Sequence, residues 1–110
     1  MKALHDAGVP IVAGTDEGIP GHSVHREIEL YVEAGFTPME ALQAATIVPA
    51  RAMKLDAEVG TIERGKRADL VVLNANPLES ISNIRTVRWT IHDGRVYDAQ
   101  ALWRSVRFQP

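Results

Sequence analysis

Apolar residues in this chain fall into three patterns, and each predicts a different element. Two continuous runs read as buried strands. The first covers residues 10–15 and stops abruptly at Gly14-Thr15-Asp16. The second is Ala68-Asp69-Leu70-Val71-Val72-Leu73, stopped by Asn74 to Pro77. Between them, Val24, Ile28, Tyr31 and Val32 recur at i, i+4, i+7, i+8, the stripe of an amphipathic helix over residues 23–34. Glu27, Glu29 and Glu33 sit mostly off that stripe, and Gly35 ends it. Further on, Val87 to Ile91 and Arg95 to Tyr97 flank Asp93-Gly94, a dipeptide suited to a two-residue hairpin turn.

Punctuation between the runs sharpens the picture. Met1 to Ala7 reads as the tail of a helix, with Gly8 as a left-handed stop and Pro10 shortly after it. Helices need a nucleated body, so a chain opening on a last turn reads either as a frayed N-terminus or as a piece of a longer natural chain. Gly18, Pro20 and Gly21 mark a loop. In Thr37-Pro38-Met39-Glu40, Thr37 is the expected N-cap, Pro38 takes the first helical position and Glu40 completes a capping box. The small residues of Ala41-Leu42-Gln43-Ala44-Ala45 predict close packing, and Pro49 is expected to open a short helix through Met53. Residues 81–85 suggest one helical turn and residues 99–106 a terminal helix. The organisation is one βα unit, a helical layer, then a small antiparallel sheet, with a soft boundary near residues 56–60.

Composition bounds the function. With 110 residues, one domain is the ceiling. A net charge of −2 and a pI near 6.0 leave no electrostatic footprint for nucleic acid or an acidic membrane surface. There is no cysteine, hence no disulfide framework, thiolate metal site or thiol nucleophile. No apolar run is long enough to span a bilayer, and the first residues lack the apolar core of a signal peptide. The expected location is the cytoplasm.

Four stretches together resemble the C-terminal part of amidohydrolase-superfamily enzymes, in the branch of imidazolonepropionase-like and prolidase-like metallohydrolases. They are Gly8 to Asp16; Glu27 to Leu30 continuing through Ala34 to Leu42; Ala44-Ala45-Thr46 with Pro49 to Ala52; and Gly60 to Leu73. The hairpin from Val87 to Tyr97 fits as well. The resemblance implies an α/β fold. Residues 1–58 would be the last βα unit of a TIM-like (β/α)8 barrel plus a helical layer. Residues 59–110 would be the C-terminal strands of a small composite β-sandwich. It also implies one or two divalent metals, often zinc, held at the C-terminal ends of the barrel strands. Of the family's ligands only the aspartate after the eighth strand has a counterpart here, Asp16.

A carboxylate just past a barrel strand lies where such folds keep their chemistry. Its hard oxygen suits zinc or manganese. In the family the metal lowers the pKa of bound water, and a carboxylate beside that water moves its proton. On residue type alone, Asp16 is equally a loop aspartate capping a turn or the next helix. Thr15 is placed to orient the carboxylate. His22 and His25 share one face if both are helical, and two imidazoles could then bind a metal. Their His-x-x-His spacing departs from the family's His-x-His and suits a loop and a helix-start histidine lining the mouth of a cleft. His5 and His92 read as surface or hairpin residues, and Arg64, Lys66 and Arg67 as a solvated turn. Trp89 and Trp103 read as packing residues for the sheet and the terminal helix.

Two expectations follow. In the first, the chain is the C-terminal portion of a metal-dependent hydrolase of C–N bonds, inactive alone and completed by a complementary N-terminal segment. In the second, it is a non-catalytic α/β oligomerisation or binding module, because a lone barrel strand and half a sandwich expose edges that copies of the chain can cover.

Overall fold

The computed structural model describes residues 1–14 and 23–105. They form two compact units, Met1–Lys66 and Arg67–Pro110.

The first unit is built on helices. α1 (Lys2–Asp6) is a five-residue piece with no buried residue, closed by Gly8 at φ +87°. α2 (Ser23–Glu33) buries Ile28 and Tyr31 as its stripe predicts, and ends before Gly35 at φ +110°. The buried arc is broader than the stripe, however. Glu29 is buried while Val24 is exposed. The Glu29 carboxylate is tolerated there because Arg26 Nη1 approaches it to 3.6 Å, and a buried charge needs a partner.

α3 (Pro38–Ala44) begins as its sequence dictates. Thr37 accepts from the Glu40 backbone N–H at 3.1 Å, and the Glu40 carboxylate accepts from the Thr37 N–H at 2.9 Å. Ala41 and Ala44 are almost wholly buried, so their small side chains let neighbours come close. α4 (Ile47–Ala52) starts two residues earlier than Pro49 suggested. Proline is tolerated anywhere in a first turn, where N–H groups have no intrahelical partner. Phe36, Ile47 and Ala50 complete this core. Gly60, at φ +103°, packs directly on α4. A Cβ there would lie 2.8 Å from Ala50 Cβ and 3.1 Å from Ile47 Cδ1.

The expected strand at residues 10–15 is not a strand over its described part. Residues 9–14 have no regular secondary structure and no ladder partner among the described residues. Their main-chain bond to the body is Ala13 N–H to the Ala44 carbonyl, 2.8 Å.

The second unit carries the sheet. β1 (Leu70–Leu73), β2 (Val87–His92) and β3 (Arg95–Asp98) form an antiparallel sheet in that order. Leu70 faces Ile91 and Val72 faces Trp89, with a register shift after Val72. Ile91 pairs with Val96 and Thr90 with Tyr97. The β2–β3 turn is Asp93-Gly94 with both φ positive (50° and 80°), the twist a tight hairpin prefers. A 3-10 turn (Ile81–Arg85) buries Ile84 against β1, and α5 (Ala99–Ser105) lies on β2 and β3. No helix among the described residues is long and apolar enough to cross a membrane.

Candidate functional site

Asp16, Thr15 and His22 lie outside the described residues, so the site is described from the residues around them. The approach to Asp16 along the chain is the segment Val9–Gly14, which has no regular secondary structure. Ile11 and Ala13 are half-buried, while Val9 and Val12 are exposed. Tyr31 reaches across from α2 and places its hydroxyl 3.4 Å from the Val12 carbonyl. Burial pushes the Tyr31 phenol up to about 12, and the hydrogen bond and negative charge of Glu27 add to the rise. Tyr31 therefore stays neutral and donates throughout the physiological range. The segment preceding Asp16 is thus held by a side chain of α2 and by the last carbonyl of α3.

His25 is the one proposed site residue that is described. It sits in the first turn of α2, half-buried, with Nδ1 shielded from solvent. Its sequence neighbour Arg26 bridges Glu29 at 3.6 Å and Glu33 at 3.2 Å. Among the described residues no three of His, Asp and Glu come together in a way that would hold a metal. The described part of the chain therefore does not by itself fit a divalent ion.

His5, expected at the surface, belongs to a defined cluster instead. Its Nε2 lies 2.5 Å from Glu40 Oε2. Its ring stacks on Phe36 with centroids 4.4 Å apart, and Phe36 packs in turn on Tyr31 at 5.3 Å. The hydrogen bond from His5 holds the Glu40 carboxyl down to about 2, helped by the Thr37 backbone N–H. Beside this pair runs a cleft of about 490 Å³ lined by His5, Val9, Ile11, Phe36, Glu40 and Arg51, among others. No sequence signal marks His5, because its partner is 35 positions away.

Lys66 departs from the solvated-turn expectation. Its side chain is only 13% exposed, with Nζ 2.8 Å from Glu63 and 2.6 Å from Thr61 Oγ1. That bond lowers the Glu63 carboxyl from its ordinary value, with Thr61 assisting. The lysine closes the 61–66 loop.

In the second unit the polar groups are structural. Asp69 accepts from the Asp93 backbone N–H at 2.8 Å and faces His92 Nδ1 at 3.5 Å, which pins the hairpin turn. Trp89 is 37% exposed and carries the Arg88 guanidinium over its ring at 4.8 Å, so it packs less deeply than its size suggests.

Residues 1–97 match the Amidohydrolase family. The imidazolonepropionase of Geobacillus kaustophilus is 36% identical over 111 residues, covering 87% of this chain and 26% of that protein. Among solved structures, molinate hydrolase superposes with a TM-score of 0.83 at 32% identity, covering 98% of this chain and 28% of the other. A Xaa-Pro dipeptidase with methionine bound in its active site gives 0.80 at 36% identity, covering 89% and 24%. The chain spans about a quarter of the length of each of these proteins.

Proposed function

Because the chain belongs to the amidohydrolase family, we propose that it is the C-terminal portion of a metal-dependent hydrolase of C–N bonds in amides, cyclic amides or dipeptides, inactive as an isolated chain. The match running through residues 1–97 carries this reading. The likeness to an imidazolonepropionase and to a Xaa-Pro dipeptidase favours small cyclic amides and dipeptides as the substrate class. Inactivity follows from the chemistry. A hydrolase needs a nucleophile, a proton carrier and charge stabilisation together, and one aspartate is not that constellation.

In the assembled enzyme Asp16 is the proposed ligand of a divalent ion, zinc by the resemblance to the family, with a carboxylate oxygen as a donor that manganese would accept equally. It is also the proposed proton carrier. Its carboxylate takes a proton from the attacking water and returns it to the nitrogen that leaves as amine. Thr15 orients that carboxylate. His22 and His25 contact substrate at the mouth of the site.

Hydrolysis of dipeptides and cyclic amides, measured beside bound metal, tests this. The chain alone should neither turn over substrate nor hold stoichiometric zinc. Mixing with an N-terminal segment that supplies the remaining strands should restore turnover, and Asp16→Asn should abolish it. A folded complex of the two segments with no turnover would sink the enzyme reading. Turnover by the chain alone would sink its inactivity.

One observation favours the second reading, an oligomeric module with no catalysis. β1 is an outer strand of the sheet, and its four residues Leu-Val-Val-Leu contain no charge to discourage pairing with another copy. Light scattering of the purified chain decides it, because a monomer at high concentration is incompatible with that reading.

A further inference from the structure

The sheet of the second unit has two outer strands, and they present different edges. β3 carries a charge at each end, Arg95 and Asp98, and Asp98 caps α5 by accepting the Ala101 N–H at 3.0 Å. β1 carries no charge, and its Val71 is 58% exposed. Charges on an edge discourage a further strand, and an uncharged edge accepts one. The direction of the main chain shows which groups of β1 are open. At one end the Ala68 carbonyl accepts the Gly94 N–H at 3.1 Å, and at the other the Asn74 N–H donates to the Thr86 carbonyl at 2.8 Å. Between them Leu70 faces Ile91 and Val72 faces Trp89. Main-chain groups of an antiparallel strand alternate in direction, so residues 68, 70, 72 and 74 turn theirs toward β2 and its hairpin. The N–H and C=O groups of Val71 and Leu73 therefore point to the outer edge, where they meet no partner among the described residues.

We infer that two copies of this chain join through β1, as adjoining antiparallel strands related by a two-fold axis at Val72. The inference rests on the oligomeric reading of the chain and names the surface and register that reading lacks.

The register follows from which groups are free. A two-fold axis between edge-paired strands is perpendicular to the sheet and leaves each side chain on its own face. Opposed residues share a face, so both are odd-numbered or both even-numbered. With the axis at Val72, Val71 of each copy faces Leu73 of the other. Each such pair exchanges two hydrogen bonds, and every outward group of β1 is satisfied. An axis at Val71 would instead oppose Leu73 to Asp69, whose N–H is already given to the Arg67 carbonyl at 3.0 Å. The side chains agree with this register. Val72 meets Val72, Val71 meets Leu73 and Leu70 meets Asn74, so no like charges stand opposite one another. The surface is thus complementary to itself in hydrogen bonding, in charge and in apolar character.

Amide hydrogen exchange on the full 110-residue chain, run beside light scattering over a range of concentrations, tests this. The chain should be a dimer with the Val71 and Leu73 amides protected. While the dimer predominates, mass action should lower that protection about tenfold on roughly hundredfold dilution. Val96, whose main chain opens on the β3 edge, should exchange freely throughout. Val71→Pro removes an N–H that the ladder does not use, and proline is tolerated on an edge strand at such a position. It should keep the sheet signal in circular dichroism and give a monomer. An oligomer in which Val71 and Leu73 exchange freely overturns the inference and leaves the oligomeric reading standing, as does a folded Val71→Pro chain that is still dimeric. A monomer at every concentration overturns both. Protection that appears only when an N-terminal segment is added also overturns the inference and assigns the edge to that segment. Should Val71→Pro fail to fold, exchange in the unaltered chain decides.

Discussion

Two apolar runs of four residues meet different fates in this molecule. Leu70–Leu73 is a strand paired residue by residue with β2. Pro10–Ala13 is also an unbroken apolar run, yet it forms no ladder within the described residues. What separates them is their neighbours. β1 finds β2 only 14 positions along, brought back by the 3-10 turn and fixed at its start by the Asn74 N–H to Thr86 carbonyl bond of 2.8 Å. The earlier run has no such partner among the described residues; its Ala13 N–H goes to the Ala44 carbonyl of α3 at 2.8 Å, and its Val12 carbonyl lies 3.4 Å from the Tyr31 hydroxyl. A strand is a relation between segments. Periodicity identifies a segment able to enter a sheet, and only the packed chain supplies the second member.

The most severe test of that contrast places proline in both regions. Thr90→Pro removes an N–H from the central strand, and we expect loss of about 3 kcal/mol or more with collapse of the sheet signal in circular dichroism. Val12→Pro, in the segment without a ladder, should cost less than about 1 kcal/mol by the same urea titration. Equal losses would mean that residues 9–14 are paired after all.

Gly60→Ala probes the helical region alone. The new Cβ meets Ala50 at 2.8 Å on a backbone with φ +103°, and such overpacking costs about 3 kcal/mol. Thermal unfolding should show it plainly, and a neutral result would dismiss the tight seat of residue 60 on α4.

Tyr31→Phe removes the long contact to Val12 together with the hydrogen bond to Glu27 and leaves the ring buried. We expect about 0.5–1 kcal/mol, read as faster exchange of amides 11–14 with no change in the sheet. If sheet amides respond equally, the side chain is not a local tether.

The smallest effect belongs to acid. Glu40 is held at about 2 against an ordinary 4.5, and Glu63 is also lowered. A depressed carboxyl contributes stability that is complete above its unfolded value and is lost as the pH falls through the folded one. The first unit should therefore weaken progressively from about pH 4.5 toward pH 2, and Glu40→Gln should flatten that slope. A stability profile that is level across this window would contradict the His5–Glu40 contact.

Local chemistry was legible wherever neighbours in sequence are also neighbours in space. The capping box at Thr37 and Glu40, the positive-φ stops at Gly8 and Gly35, and the Asp93-Gly94 hairpin stand where the sequence puts them. Each depends on residues within one turn of one another. The family too was written in the sequence, since the order of its motifs is a linear property.

What the linear chain withheld was every relation across distance. Glu29 is off the apolar stripe yet buried, because the body covers a wider arc of α2 than periodicity marks. Lys66 is the exception to the rule of distance: its partners Glu63 and Thr61 are three and five positions away, yet nothing in the basic turn marked which side chain folds inward. His5 carries no motif, and only the approach of α3 gives it a carboxylate and a ring to lie on. The sequence by itself determined the helix caps, the turns and the family. The tertiary structure alone decided which apolar run becomes a strand and which charges are enclosed, because hydrogen-bond partners and burial are set by what packs alongside.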